Sequence, residues 1–317
     1  LAPEEDLVFK KLPVAGSVLA VVAIVATVTV ATGATPSHEG ERSQVGSLTR
    51  PSVTNRLSAG SHTIAITVGN VQRTFIVDVP SGEPVANRAL VLVYHGATDT
   101  AANTVNETDL LQQVTARGDL IAFLQGYDDT WNEGSGSTPA RTAHINDVAF
   151  TAAVIARLGK LTTFDPARVA AVGISNGAIM VEDLGCHLSG RISLIVPVEG
   201  QMSVDQSKTC SLAKPENVYE IHGSTDPEIP YGGGYFSSSI GHETVLSAPN
   251  SVARWAQLDG CSTGPGTSTP SSTISLSTYS RCREGVSVTL RTIIGGQHSW
   301  PPDIGQLVVH ELSLLPK

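Results

Sequence analysis

The 317-residue chain carries 29 Asp and Glu against 20 Lys and Arg, a formal net charge of −9 with a pI near 5.4, and no basic stripe, which argues against a nucleic-acid partner. Hydrophobic residues make up 41%, beside 30 Gly and 18 Pro, a composition that can bury a core and is neither disordered nor collagen-like. Charged residues are 15%, below the usual share of about 25%, and the length suits one large or two small globular domains.

At the N-terminus, Lys10 and Lys11 precede an uncharged run, residues 12–34, rich in Val and Ala and ending in the small residues Thr32, Gly33 and Ala34. The pattern predicts an export signal. Its length also suits a membrane span of about 20 residues, so an uncleaved anchor is the competing expectation and the one route to a membrane. No cysteine lies near the end of the run, which argues against a lipid anchor, and the acidic Glu4, Glu5 and Asp6 are unusual ahead of a signal. Residues 35–60 are polar and read as a solvated linker, leaving 61–317 as the folded domain.

From residue 62 onward, short apolar runs rich in β-branched residues alternate with helical patterns, the signature of an α/β fold with a mostly parallel central sheet. Strands are predicted over 62–68 and 74–79, an antiparallel pair turned at Gly69-Asn70, then over 89–94, 120–124, 169–173, 192–198, 218–222 and 286–294. Helices are predicted over 104–116, 147–158, 176–186 and 251–258, on both faces of the sheet. No internal repeat is present.

The four cysteines, Cys186, Cys210, Cys261 and Cys282, include no C-x₂₋₄-C pair, so a zinc site is not expected and disulfides are. Four thiols allow three pairings. Neighbours in sequence are favoured, because each pair then flanks one excursion between predicted elements; four free buried cysteines are the alternative. Between Cys261 and Cys282 the chain is almost entirely Ser, Thr, Gly and Pro, so a covalent clip is expected to do what apolar burial cannot. Disulfides and export agree, since thiols pair outside the reducing cytosol.

The chemistry is carried by Gly173-Ile174-Ser175-Asn176-Gly177, directly after an apolar strand and before a helix-compatible run. A strand-to-helix turn this tight strains the serine backbone and leaves no room for side chains at the flanking glycines, so Ser175 is the candidate nucleophile. A bland serine in a Gly-rich turn is the competing reading. A serine hydroxyl needs a base, and the base a carboxylate that holds its tautomer. Of the histidines beyond Ser175, His298 follows a strand and the flexible Gly295-Gly296; His222 reads as a structural residue ending a buried strand, His242 falls in a polar loop and His310 in a short apolar tail that reads as a helix. Asp226 follows the strand over 218–222 and is chosen as the acid over Glu228, Asp205 and Asp259, although an Asx-turn role is open to it. Two backbone amides are candidates for an oxyanion hole: Asn176, after the nucleophile and at a helix start, and Ala97, after His95-Gly96.

Together, H-G at 95–96, W-N at 131–132, N-D-V-A-F at 146–150, D-P-A-R-V-A-A-V-G-I-S-N-G at 165–177, H-G-S-T-D at 222–226 and G-G-Q-H-S-W-P at 295–301 resemble secreted esterases of the polyhydroxybutyrate depolymerase and feruloyl esterase group, relatives of carbohydrate esterase family 1. The resemblance covers about residues 61–301. It implies an α/β-hydrolase catalytic domain with nucleophile Ser175, acid Asp226, base His298, oxyanion amides at Ala97 and Asn176, and the cysteine pairs favoured above. It also implies Trp300, Trp131 and His95 near the substrate; Tyr127 and Tyr231 are weaker candidates. Asp147 reads as the cap of the following helix, and Asn146 as a brace for the loop bearing Trp131. The chain departs from the group at Ala97-Thr98-Asp99, where a Cys or further Gly often follows H-G, and at residues 302–317, a short aromatic-free tail.

The function expected is hydrolysis of feruloyl, hydroxyalkanoate or short-chain acyl esters, small, polysaccharide-linked or polymeric, through an acyl-enzyme, with no metal or organic cofactor. A serine peptidase and an inactive surface-binding module on the same scaffold are the competitors.

Overall fold

The structure, a computed structural model, describes residues 56–134, 136–238 and 241–315. The segment expected to be a signal or anchor, and most of the expected linker, lie outside these residues. Among the described residues no helix is long and apolar enough to cross a membrane.

Ten strands form one sheet. They are β1 (Gly60–Val68), β2 (Val71–Val79), β3 (Leu90–Tyr94), β4 (Leu120–Leu124), β5 (Val169–Ile174), β6 (Leu194–Val198) and β7 (Asn217–Gly223), and, after the separate hairpin β8 (Gly234–Ser238) and β9 (Gly241–Val245), β10 (Thr263–Ser271), β11 (Ile274–Ser280) and β12 (Val288–Ile293). Their spatial order is β1-β2-β4-β3-β5-β6-β7-β12-β11-β10. The run from β4 to β12 is parallel, and antiparallel strands flank it at both edges.

Strands β3 to β6 are buried at every position because helices cover both faces. Period-two geometry divides each strand between two cores. Leu90, Leu92 and Tyr94 enter one cluster, with Phe150, Met180 and Trp255, while Val91 and Val93 enter the other, with Leu110, Val308 and Leu312. The helices are α1 (Ala101–Glu107), α2 (Leu110–Ala116), α3 (Pro139–Thr142), α4 (Asp147–Leu161), α5 (Asn176–Leu188), α6 (Val204–Thr209), α7 (Ala248–Leu258) and α8 (Ile304–Leu314).

Two expectations need correction, and the helix expected in the tail is present. The single helix predicted over 104–116 is two, α1 and α2, broken where the Asp109 carboxylate turns to accept the Gly305 amide of α8 at 2.7 Å. The Ser/Thr-rich stretch between Cys261 and Cys282 is the hairpin β10–β11, which extends the sheet beyond β12 through backbone pairing and the half-buried Ile274, Leu276 and Tyr279. The short tail, expected to be helical, forms α8, which buries Ile304, Val308 and Leu312, and Arg168 reaches the carbonyls of Leu312 in its last turn and Leu315 just after it. Both favoured disulfides form, Cys186–Cys210 and Cys261–Cys282.

Candidate active site

Parallel strands end on one edge of the sheet, and the candidate residues all follow such ends: Ser175 after β5, Asp226 after β7 and His298 after β12. Ser175 has φ 59 and ψ −126, a conformation costly for a residue with a side chain and found where the surroundings impose it. Its amide donates to Val198 O at 2.9 Å, and its carbonyl accepts the first free amides of α5, from Ala178 and Ile179. The flanking glycines are steric requirements. A Cβ on Gly173 would lie 2.3 Å from Gly177 O, and one on Gly177 would lie 2.4 Å from His95 O.

The loops after β7 and β12 are laced together. Thr225 donates its amide and its hydroxyl to Gly296 O, and Gly295 N donates to Ser224 Oγ. Nδ1 of His298 thereby meets Oδ2 of Asp226 at 2.7 Å, while Oδ1 accepts the amides of Glu228 at 2.7 Å and Ile229 at 3.0 Å. Asp226 is therefore both an Asx-turn residue and the partner of a histidine. Burial alone would raise its proton affinity; hydrogen bonds from His222 and His298, the His298 charge and the Glu228 amide outweigh this and hold it well below the usual carboxylate range. Nε2 of His298 has no hydrogen-bond partner among the described residues, the Ser175 hydroxyl included.

Asn176 and Ala97 border the same cleft as Ser175, and no turn or loop hydrogen bond among the described residues uses the backbone N–H of either. The loop of Ala97 is braced from behind. His95 is 1% exposed; its Nε2 accepts the Gly126 amide at 2.9 Å, so Nδ1 carries the proton and donates to Gly96 O at 2.7 Å. Burial lowers its pKa, in keeping with this neutral form. Trp131, fully buried, donates Nε1 to His95 O at 2.8 Å and its backbone amide to Asn176 Oδ1 at 2.8 Å.

His95 and Trp131, expected beside the substrate, are thus walled off from the cleft and shape it through the backbone. Trp300 is half-buried against the core cluster of β3 to β6 and α8 and is not among the cleft's lining residues. Asn146 and Asp147 exchange the roles expected of them. Asn146 caps α4 by accepting the Ala149 amide, and Asp147 braces the Trp131 loop by accepting the Asn132 amide at 2.8 Å while paired with Arg73 at 2.7 Å. The rival acids stand elsewhere: Asp205 pairs with Lys208 on α6 and Asp259 is buried at the end of α7. Glu228 is 3.8 Å from Nε2 of His298, with its side chain 67% exposed.

The cleft holds about 300 Å³. One wall is apolar, from Ile179, Ile229 and Phe236; the other is polar, from Glu133, His242 and Glu243. Glu133 is buried and accepts Asn176 Nδ2 at 3.1 Å, and burial, with the nearby Glu243 charge adding, pushes its carboxyl well above the usual range. The sequence reading missed Glu133 and the hairpin β8–β9. The signal was two short runs bounded by Gly232-Gly233-Gly234 and Gly241, but nothing local tied them to Ser175.

A mostly parallel sheet with a strained serine between β5 and α5, and an Asp–His pair on the loops after β7 and β12, has the architecture of an α/β-hydrolase. Solved structures agree on the fold: the acetyl xylan esterase from Aspergillus awamori matches 80% of this chain and 99% of its own with a TM-score of 0.55 at 14% identity, and esterase PE8 matches 74% and 95% with 0.50 at 17%. By sequence the chain is similar to feruloyl esterase B of Piromyces equi, 30% identical over 236 residues, and to NocK of Nocardia uniformis subsp. tsuyamanensis, named as an esterase, 25% identical over 251 residues. Those alignments cover 72% and 74% of this chain, but 42% of feruloyl esterase B and 73% of NocK. No family model matches the chain.

Proposed function

We propose that the protein is a serine carboxylic-ester hydrolase working through an acyl-enzyme, with Ser175 as nucleophile, His298 as general base and Asp226 as its orienting acid. The observation that carries this reading is the Asp226–His298 bond, which commits Nδ1 as donor and leaves Nε2 as the basic nitrogen, on the sheet edge that bears a strained serine. Apo sites often hold the serine–histidine contact long, and it tightens with substrate.

Ser175 Oγ attacks the ester carbonyl as its proton passes to His298 Nε2, and the imidazolium is steadied by Asp226. The amides of Ala97 and Asn176 receive the oxyanion, the latter helped by the start of α5. His298 then protonates the leaving alkoxide; water, deprotonated by the same nitrogen, attacks the acyl-enzyme and returns the acid and free Ser175. The names of the sequence relatives favour esters over amides, and include a feruloyl esterase. The two disulfides support an oxidising, extracytoplasmic location.

The test is covalent capture by a fluorophosphonate probe, expected for the native chain and absent in Ser175→Ala. A panel of feruloyl, hydroxybutyrate-oligomer and short-chain p-nitrophenyl esters, run beside a peptide anilide, then ranks the substrates. No capture of the native chain would leave a binding module, and faster turnover of the anilide a peptidase.

A further inference from the structure

Strand β6 ends at Val198, and the next residue, Glu199, adopts φ 50, a left-handed conformation rare for a residue with a side chain. The turn sends a carboxyl group with 0% exposure beneath the loop of Asp226. Its Oε2 accepts the Gly223 amide at 2.8 Å and lies 3.6 Å from Nε2 of His222, which is 3.4 Å from Oδ2 of Asp226. The ligand atoms of Glu199, His222 and Asp226 lie within 4.8 Å of one another, and Glu199 Oε1 and His222 Nδ1 have no hydrogen-bond partner among the described residues. An apolar residue would fill a strand end with less desolvation cost.

We propose that Glu199 is a positioning residue for the acid–base pair, holding the buried side of the Asp226 carboxylate so that Oδ2 stays on His298. The inference rests on the reading of Ser175, Asp226 and His298 given above. Burial pushes the Glu199 carboxyl up to about 9, and the negative Asp226 beside it adds to this against the opposing Gly223 amide. A protonated Glu199 would present its O–H to Asp226, whose oxygen lies within 4.8 Å of it. The titratable groups facing it are His222 from β7, Asp226 from the loop beyond and, through Asp226, His298 and Glu228. The donation draws charge from the carboxylate and keeps His298 from becoming too basic.

The experiment measures kcat and KM for p-nitrophenyl acetate from pH 5 to 10 on the full chain, Glu199→Gln and Glu199→Ala, beside the rate of fluorophosphonate capture. Glu199→Ala removes the donor, so the acid limb of kcat/KM moves to higher pH by about half a unit, and kcat falls about tenfold or more with KM little changed. Glu199→Gln still donates and restores the native acid limb. Having no proton to lose, it also lacks the alkaline fall produced when Glu199 ionises beside Asp226. The proposal is overturned if Glu199→Gln keeps that alkaline fall, a result readable even if Glu199→Ala does not fold, or if both variants follow the native profile. Failure of the native chain to react with the probe overturns the reading of the site, and this inference with it.

Discussion

Nδ1 of His298 lies 2.7 Å from Oδ2 of Asp226, across 72 residues of sequence. The bond depends on two loops that share hydrogen bonds through Thr225 and Gly296, and on a close approach in which a Cβ at Gly223 would come within 2.5 Å of Gly296.

Asp226→Asn should lower kcat by about 10⁴, because an amide cannot hold the imidazole in the tautomer that leaves Nε2 basic. Glu228→Gln should cost less than about tenfold, since the Glu228 side chain is 67% exposed and 3.8 Å from the ring. Steady-state turnover of p-nitrophenyl acetate by both variants decides between the two acids; the reverse ranking would move the acid to Glu228.

Gly200→Ala should damage the nucleophile turn without touching the reacting groups. The added Cβ would lie 2.6 Å from Ser175 O and 2.8 Å from Ala178 Cβ, so the turn must shift. A stability loss of about 1–3 kcal/mol is expected from such overpacking. Urea unfolding measures the loss, and kcat should fall with it.

The bridges Cys186–Cys210 and Cys261–Cys282 close loops with sequence separations of 24 and 21. Each should contribute about 3 kcal/mol by restricting the unfolded chain. Non-reducing peptide mapping should recover these two pairs alone, and reduction should lower the unfolding midpoint. A crossed pairing would contradict the hairpin β10–β11 as described.

Stability should fall as pH rises from 5 to 8. Burial raises Glu182 to about 8, Asp259 to about 7 and Glu199 to about 9, against ordinary values of 4.5, 3.8 and 4.5. Below the ordinary values both states are protonated and these groups are neutral to folding. Above them the unfolded chain releases protons that the folded protein retains until its own higher pKa, so each step of pH favours unfolding. His187, raised to about 9 chiefly by its hydrogen bond with Asp183, acts in the same direction, since its stabilisation is lost as pH rises. The depressed Asp226 contributes a loss only at lower pH. Thermal melts should give a higher Tm at pH 5 than at pH 8; equal or reversed values would mean that the buried carboxyls are ionised.

The strands β3 to β6 were legible because a run buried on both faces is apolar throughout, and the tight turn at Ser175 because its G-x-S-x-G pattern falls between such a strand and a helical run. Candidate acid and base were legible through their places after later strands. The hairpin β8–β9 was not, since Phe236 and Glu243 gain their meaning only by lining the same cleft as Ser175. Trp131 and His95 were misplaced for a related reason: a motif marks residues near a site without saying on which side of the backbone they lie.

Local chemistry in the chain therefore specified the strained serine, the order of candidate groups and the cysteine neighbours, each a matter of short-range sterics, periodicity or loop closure. The walls of the cleft, the exchange of duties between Asn146 and Asp147, and the buried carboxyl of Glu199 beneath Asp226 were decided only on folding. Such contacts join segments tens of residues apart, and their partners are selected by packing and by the need to satisfy buried polar groups, which no local pattern encodes.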